Sequence, residues 1–294
     1  MFKVEKVADE QANVGEGPLW DDESQLLYWA DIRSGRLFEY NPENGENNTI
    51  YNGIYVGGFS KNSYGGFTLG TWNGVLLWES ERKKRWIHQG TYMGEKLQFN
   101  DCIAAPDGSF LAGTFYPSNV LGYNKSGKLY RFFPNGNVEI VSENHGCSNG
   151  MGFSPDLSYF YHSDPSKGKI VRHPYNNETH IIGEAEEWYE HKDQGGPDGM
   201  TVDSEGYVWS AIWGGSGVIR IDKEGNVVEK IKVDAHQTSS CMFGGSSLTD
   251  LYVTSAATPD NLANVPKGTY LGGSLFKIST NYVGKLEYET KFEF

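Results

Sequence analysis

Along most of this chain apolar and polar positions alternate with a period of two, in short runs ended by Gly, Asn, Asp or Pro. In LYRFF (129–133) and VIRID (218–222) successive side chains change face, as they do in half-buried β-strands. Asn-Gly, Asp-Gly and Glu-Gly pairs close the runs and supply the positive φ that tight hairpins need. No amphipathic helix of ordinary length is visible. The segment EAEEWYEHKDQ (184–194) could form a helical turn, but it lies between strand runs and reads as a loop.

The strand runs repeat. One pattern is a turn acid or Gly followed by an aromatic strand, as in DDESQLLYWAD (21–31), PDGSFLAGTF (106–115), PDLSYFYHSD (155–164), DSEGYVWSAIW (203–213) and SLTDLYVTSA (247–256). The other is Gly, an alternating strand and a polar turn. It occurs at 35–45, 74–84, 127–137, 168–178, 217–226 and 273–280. Six copies of the second pattern and five of the first are present; the sixth falls in the degenerate stretch GGFTLGTWNG (65–74). Six units in 294 residues leave about 49 residues each, the size of a propeller blade built of several short strands. A sandwich or barrel would not need six similar units. The expectation is an all-β, six-bladed β-propeller, with 1–294 as one domain and no linker to a second.

Composition narrows the function. The net charge of −13 disfavours nucleic-acid binding, because an acidic surface repels phosphate backbones. The N-terminus lacks the apolar core and cleavage site of a secretory signal, and no stretch reaches the length of a transmembrane helix. Cys102, Cys147 and Cys241 are odd in number and widely spaced, as expected of reduced thiols in a cytoplasmic protein. The sequons at Asn47, Asn124 and Asn177 are then chance matches, since they need a secretory route. There is no G-x-S-x-G, no H-E-x-x-H and no Walker P-loop.

Four oxygen-bearing residues share one phase of the repeat. Glu16, Asn100, Asn149 and Asp198 each stand seven positions before a turn acid, namely Glu23, Asp107, Asp156 and Glu205. Any one of them suits an ordinary turn. Four at one phase occupy equivalent places in four blades, and in a propeller such places converge on the central axis. Two carboxylates and two amides brought together repel and lose hydration, and a bound cation resolves that conflict. Oxygen donors suit hard ions such as Ca²⁺, Mg²⁺ or Mn²⁺; Zn²⁺ accepts carboxylate but usually alongside nitrogen or sulfur.

At these residues the sequence resembles the regucalcin, gluconolactonase and luciferin-regenerating enzyme family, also called the senescence marker protein family. The matching stretches are GEGPLWDDESQLLYWADI (15–32), NDCIAAPDGSFLAGT (100–114), NGMGFSPDLSYFYHSD (149–164), GGPDGMTVDSEGYVWSA (195–211) and CMFGGSSLTDLYVTSA (241–256). The resemblance implies a six-bladed propeller with one divalent cation in its channel, Ca²⁺ first and Mg²⁺, Mn²⁺ or Zn²⁺ as alternatives. It implies Glu16, Asn149 and Asp198 as metal ligands and Asn100 as a substrate contact. Gln98 stands where the family has Arg, Cys102 where it has Gly, and TFYPSN (114–119) lacks an acid that contacts substrate in some members. These changes remove polar recognition of a sugar.

The function implied is hydrolysis of a small lactone, a sugar lactone first. The cation polarises the carbonyl, water attacks, and Gln98 and Asn100 orient the substrate. Asp198 is either the general base or a ligand alone, because a cation lowers the basicity of the carboxylate that binds it. A phosphotriesterase-like hydrolase and a non-catalytic calcium-binding regulator are the alternative readings. The expected partner is a small-molecule lactone, with no nucleic acid and no membrane. Trp20 and Trp213 are candidate pocket walls, the loops at 90–98 and 116–117 candidate specificity elements, and each His an ordinary structural residue.

Overall fold

A computed structural model describes residues 2–116, 126–258, 265 and 267–294. The sequon at Asn124 and positions 117–119 of the TFYPSN stretch lie outside the described residues. The chain forms six four-stranded antiparallel sheets, the blades of a six-bladed propeller. Their innermost strands are Gly15–Asp21, Val56–Lys61, Phe99–Ala104, Asn149–Phe153, Gly196–Val202 and Thr238–Gly244, and these define blades I to VI. Five blades use consecutive strands. Blade VI takes its outermost strand from the start of the chain, where Lys3–Asp9 pairs antiparallel with Ser274–Ser279. This closes the ring and pairs the strand edge that blade VI would otherwise expose.

The two sequence patterns are the second and third strands of each blade. The degenerate copy at 65–74 contains the second strand of blade II, Phe67–Thr71, joined to Gly74–Ser80 by Trp72 and Asn73. Gly66 replaces a turn side chain there because a Cβ would sit 2.3 Å from the Trp78 carbonyl oxygen. The segment read as a loop at 184–194 instead holds a strand, Glu186–Glu190, at the outer edge of blade IV. An edge strand buries little. Here Tyr189 is buried and Trp188 packs on Tyr161 at 4.7 Å, so the charged remainder conceals it in sequence. Residues 90–98 likewise contain a small hairpin, Thr91–Tyr92 with Glu95–Lys96.

Six apolar clusters fill the structure, one at each junction between neighbouring blades. Trp20 belongs to the junction of blades VI and I, stacked on Tyr252, and is therefore core rather than pocket wall. Within each inner strand the chain runs from the channel mouth towards the opposite face. On that face residues 282–294 cross the turns of the blades. Gly284 N–H donates to Leu248 O at 2.8 Å, Ser204 N–H to Val283 O at 2.8 Å, and Lys291 N–H to Gly108 O at 3.0 Å. Glu287 accepts from Lys285 Nζ at 2.9 Å and from Thr201 Oγ1 at 3.3 Å. With it this segment lines the floor of a cavity of about 40 Å³ on the axis.

Asn62 ties down the end of the segment. Its Nδ2 donates to Phe292 O at 3.0 Å, and its Oδ1 accepts from Phe292 N at 2.9 Å and Thr290 Oγ1 at 3.1 Å, all buried. Asn62→Ala strands these backbone groups, each worth about 1–3 kcal/mol when left unpaired. The expected result is a lower urea midpoint, with amide exchange rising first in residues 285–293. Exchange unchanged there would show that the floor is held by other contacts.

Candidate active site

The inner strands share one irregularity. In every blade the pairing register with the second strand shifts near the mouth: between Glu16 and Leu19, Val56 and Gly58, Phe99 and Asp101, Asn149 and Met151, Pro197 and Met200, and Thr238 and Ser240. A β-bulge bends its strand and re-aims the side chain it carries. Glu16, Asn100, Asn149 and Asp198 all sit at this bulge, so the four residues picked out by repeat phase occupy equivalent places around the axis. Gly57 and Ser240 hold the same place in blades II and VI.

Directly below lies an apolar collar with one large side chain from each blade: Leu19, Phe59, Ile103, Met151, Met200 and Met242. The polar ring thus sits directly above a non-polar collar.

Glu16 and Asp198 are 4 % and 3 % exposed. Glu16 Oε2 accepts from Gly17 N at 3.0 Å. Asp198 Oδ1 accepts from Asn149 Nδ2, and Asn149 Oδ1 in turn accepts from Gly150 N at 2.9 Å. No Lys or Arg pairs with either carboxylate among the described residues. Burial therefore pushes both well above the ordinary carboxylate range. The neighbouring charges of Asp198 and Asp101 add to the effect on Glu16, and that of Asp101 adds to the effect on Asp198.

Asp101 is the residue that repeat phase missed. It follows Asn100 directly. Its Oδ1 accepts from Cys102 N at 2.7 Å and faces blade II, where a Cβ on Gly58 would come within 3.1 Å of it. Burial raises its pKa to about 7. Counting seven positions selects one residue per blade, and so passes over the next carboxylate.

Asn100 donates from Nδ2 to Ser148 O at 3.4 Å and to Cys147 Sγ at 3.5 Å, joining blades III and IV. Gln98 is fully buried, with no hydrogen-bond partner for either amide atom. Tyr116 Oη donates to Lys96 O at 2.6 Å and fixes the hairpin above Gln98. The three cysteines are unpaired. Among the described residues, no three His, Cys, Asp or Glu side chains form a metal-holding group.

The donor set nevertheless fits a hard cation. Two fully buried carboxylates share a space with an amide and have no basic partner, which is costly without a counter-charge. An amide offers oxygen or NH₂ on nearly one outline, so a turn of the Asn149 amide would present its oxygen to that space, at the cost of the hydrogen bond that oxygen now accepts from Gly150 N. Glu16, Asn149 and Asp198 are the residues that would hold the ion.

Behind Asn149, His145, His162 and His173 are buried in one row, with the first two rings 4.6 Å apart and the next pair 6.4 Å apart. His162 Nε2 meets Ser148 Oγ at 2.8 Å. Burial lowers all three, His145 to about 4, so they are neutral at pH 7. As pH falls below about 6.5 the unfolded chain takes up protons that the folded chain refuses, and stability drops. His145→Gln removes one such site. Between pH 7.5 and pH 5 it is expected to lose about 1–2 kcal/mol less than the wild type in urea unfolding. An equal acid loss in both proteins would contradict neutral burial of His145.

The fold and the donor ring together define a β-propeller with one polar site on its axis. The chain belongs to the SMP-30/Gluconolactonase/LRE-like family, whose model matches residues 14–257. It is 32% identical to pentonolactonase XacC of Haloferax volcanii over 98% of both chains. It is 30% identical to 6-deoxy-6-sulfogluconolactonase of Pseudomonas putida over 93% of this chain and 94% of that one. Among solved structures, a luciferin-regenerating enzyme matches with a TM-score of 0.90 and 24% identity, covering 99% of this chain and all of that one. The calcium-binding protein regucalcin of Agrobacterium tumefaciens matches with a TM-score of 0.86 and 24% identity, covering 100% of this chain and 98% of that one. No described helix is long and apolar enough to cross a membrane.

Proposed function

We propose that this protein is a lactonase that opens small sugar lactones, with the 1–294 propeller as its single working domain and one divalent cation in the polar ring. The observation that carries the reading is the buried pair Glu16 and Asp198, which meets Asn149 at one bulge position with no basic partner. Full-length relatives named for pentonolactone and sulfogluconolactone hydrolysis support the substrate class. A bound divalent cation supplies Lewis-acid polarisation of the lactone carbonyl; Ca²⁺ suits the all-oxygen set best, with Mg²⁺, Mn²⁺ and Zn²⁺ as alternatives.

The chain's own residues do the rest. Asn100 presents its amide to the substrate at the mouth and orients it, with the buried Gln98 two positions before it in the chain. Asp198 accepts the proton of the attacking water. Water oxygen bonds to the carbonyl carbon, the bond from that carbon to the ring oxygen breaks, and the ring oxygen takes up the proton. Glu16 and Asn149 hold the charge balance of the ring, and the apolar collar keeps water from approaching beneath. The product is an aldonate with release of one proton. Unpaired thiols suit a cytoplasmic setting.

The test is acid release, followed with a pH indicator, from a panel of aldonolactones and aliphatic lactones. Metal-stripped protein is assayed alone and with each of the four ions. Ion-dependent release, faster with aldonolactones, is the expected outcome. No release with any ion, from protein that binds metal, would move the site to another ester or to ion binding alone.

A further inference from the structure

The polar ring is incomplete on one side. At the bulge position blade II carries Gly57, where a Cβ would lie 2.2 Å from the Phe99 carbonyl oxygen and 2.9 Å from the Asn100 Cα. No side chain can therefore enter the ring from that blade. Two residues nearer the mouth stands Tyr55, 38 % exposed. Its ring meets that of Trp72 edge-on, with centroids 4.6 Å apart and planes at 65°. Trp72 N–H donates to Tyr55 O at 3.1 Å, so the two residues continue the first hairpin of blade II past its last strand pair, Val56 and Thr71.

The matching position in the other blades is Val14, Gln98, Cys147, Gly196 or Thr238, each buried or half-buried. Among these six positions Tyr55 is thus the one exposed large side chain. Acids and amides stand on blades I, III, IV and V, and an aromatic pair stands at the end of the first hairpin of blade II. Gln98 and Thr238, polar residues at the same level, are sealed in the interior.

A sugar lactone has matching asymmetry. Its carbonyl and hydroxyl edges seek polar groups, while its ring presents a face of C–H bonds that packs on an aromatic surface. We propose that Tyr55 and Trp72 form the specificity-determining wall of the site and receive the C–H face of an aldonolactone ring. This rests on the lactonase reading of the polar ring below. Neither residue touches the reacting atoms, so the pair selects substrate and leaves the chemical step to the ring.

The experiment compares the metal-loaded wild type with Tyr55→Ala, Trp72→Ala, Trp72→Phe and Tyr55→Phe, on an aldonolactone and on γ-butyrolactone. The alanine variants are expected to raise KM for the aldonolactone by about tenfold, with kcat within about twofold and a smaller rise for γ-butyrolactone, whose unsubstituted five-membered ring covers less of the pair. Tyr55→Phe keeps the wild-type KM. Equal losses on both lactones, or no change in KM, would overturn the proposal.

A second arm does not depend on turnover: methyl β-D-glucopyranoside, a sugar ring with a C–H face and no ester to hydrolyse, is titrated into wild type and Trp72→Phe while tryptophan fluorescence is read. A signal change lost in Trp72→Phe supports the wall even if no lactone is hydrolysed, in which case the lactonase reading alone fails. No wild-type change across the titration would overturn the wall.

Discussion

Replacing Asp198 with Ala is expected to lower lactone turnover by about 10³-fold or more in a protein that still folds. Two effects of opposite sign act on its stability. The Asn149 NH₂ loses the carboxylate it donates to, at a cost of about 1–3 kcal/mol. At the same time a buried acid without a basic partner is removed, and with it the repulsion that raises Glu16. The net change is small against the loss of activity, because Asp198 is both the acceptor for the water proton and one of two carboxylates that hold the ion. Asp198→Asn separates the two roles. It keeps the outline of the side chain but neither its charge nor its basicity, and it should be as inactive as the alanine variant while retaining more affinity for the cation. Turnover above about a tenth of wild type in folded, metal-loaded Asp198→Ala would remove Asp198 from the chemistry.

The second large effect is a change of sign. Glu16→Gln is expected to raise the stability of metal-stripped protein and to abolish its stabilisation by added cation. In the wild type, burial and the charges of Asp198 and Asp101 oppose ionisation of Glu16, so a neutral amide of the same shape relieves the ring by about 1–3 kcal/mol. An ion that binds only the folded wild type adds about 2.7 kcal/mol at 100 times its dissociation constant, and the variant lacks one of the charges that hold it. Thermal melts of both proteins, stripped and with cation, give four midpoints. The stripped variant should melt above the stripped wild type, and the loaded wild type above both. A cation shift of equal size in the two proteins would place the ion elsewhere.

The propeller and its ring were largely legible in the sequence, because both depend on a repeat. The second and third strands of a blade have one face towards each junction, and their alternation shows plainly at 21–31 and 217–226. Outer strands did not show. Glu186–Glu190 buries only Tyr189 fully, so its other residues are free to be polar and it reads as a loop. The ring residues were visible as a set because each stands at a fixed distance from the turn that ends its strand. Asp101 escaped that count, being one position further along the same strand. Burial of Gln98 and the neutral histidine row could not be read either, since both arise where neighbouring blades pack together and no local spacing records that contact. The aromatic pair was hidden for a related reason: Tyr55 and Trp72 lie seventeen positions apart in the chain and are joined only by the register of blade II.

The central claim is that Glu16, Asn149 and Asp198 hold one cation and that turnover requires it. The most direct measurement is a titration of metal-stripped protein with a single divalent cation, reading acid release from an aldonolactone at each step. Activity rising from the background rate and levelling at one ion per chain is the predicted result. Full activity in the stripped protein before any ion is added would contradict it.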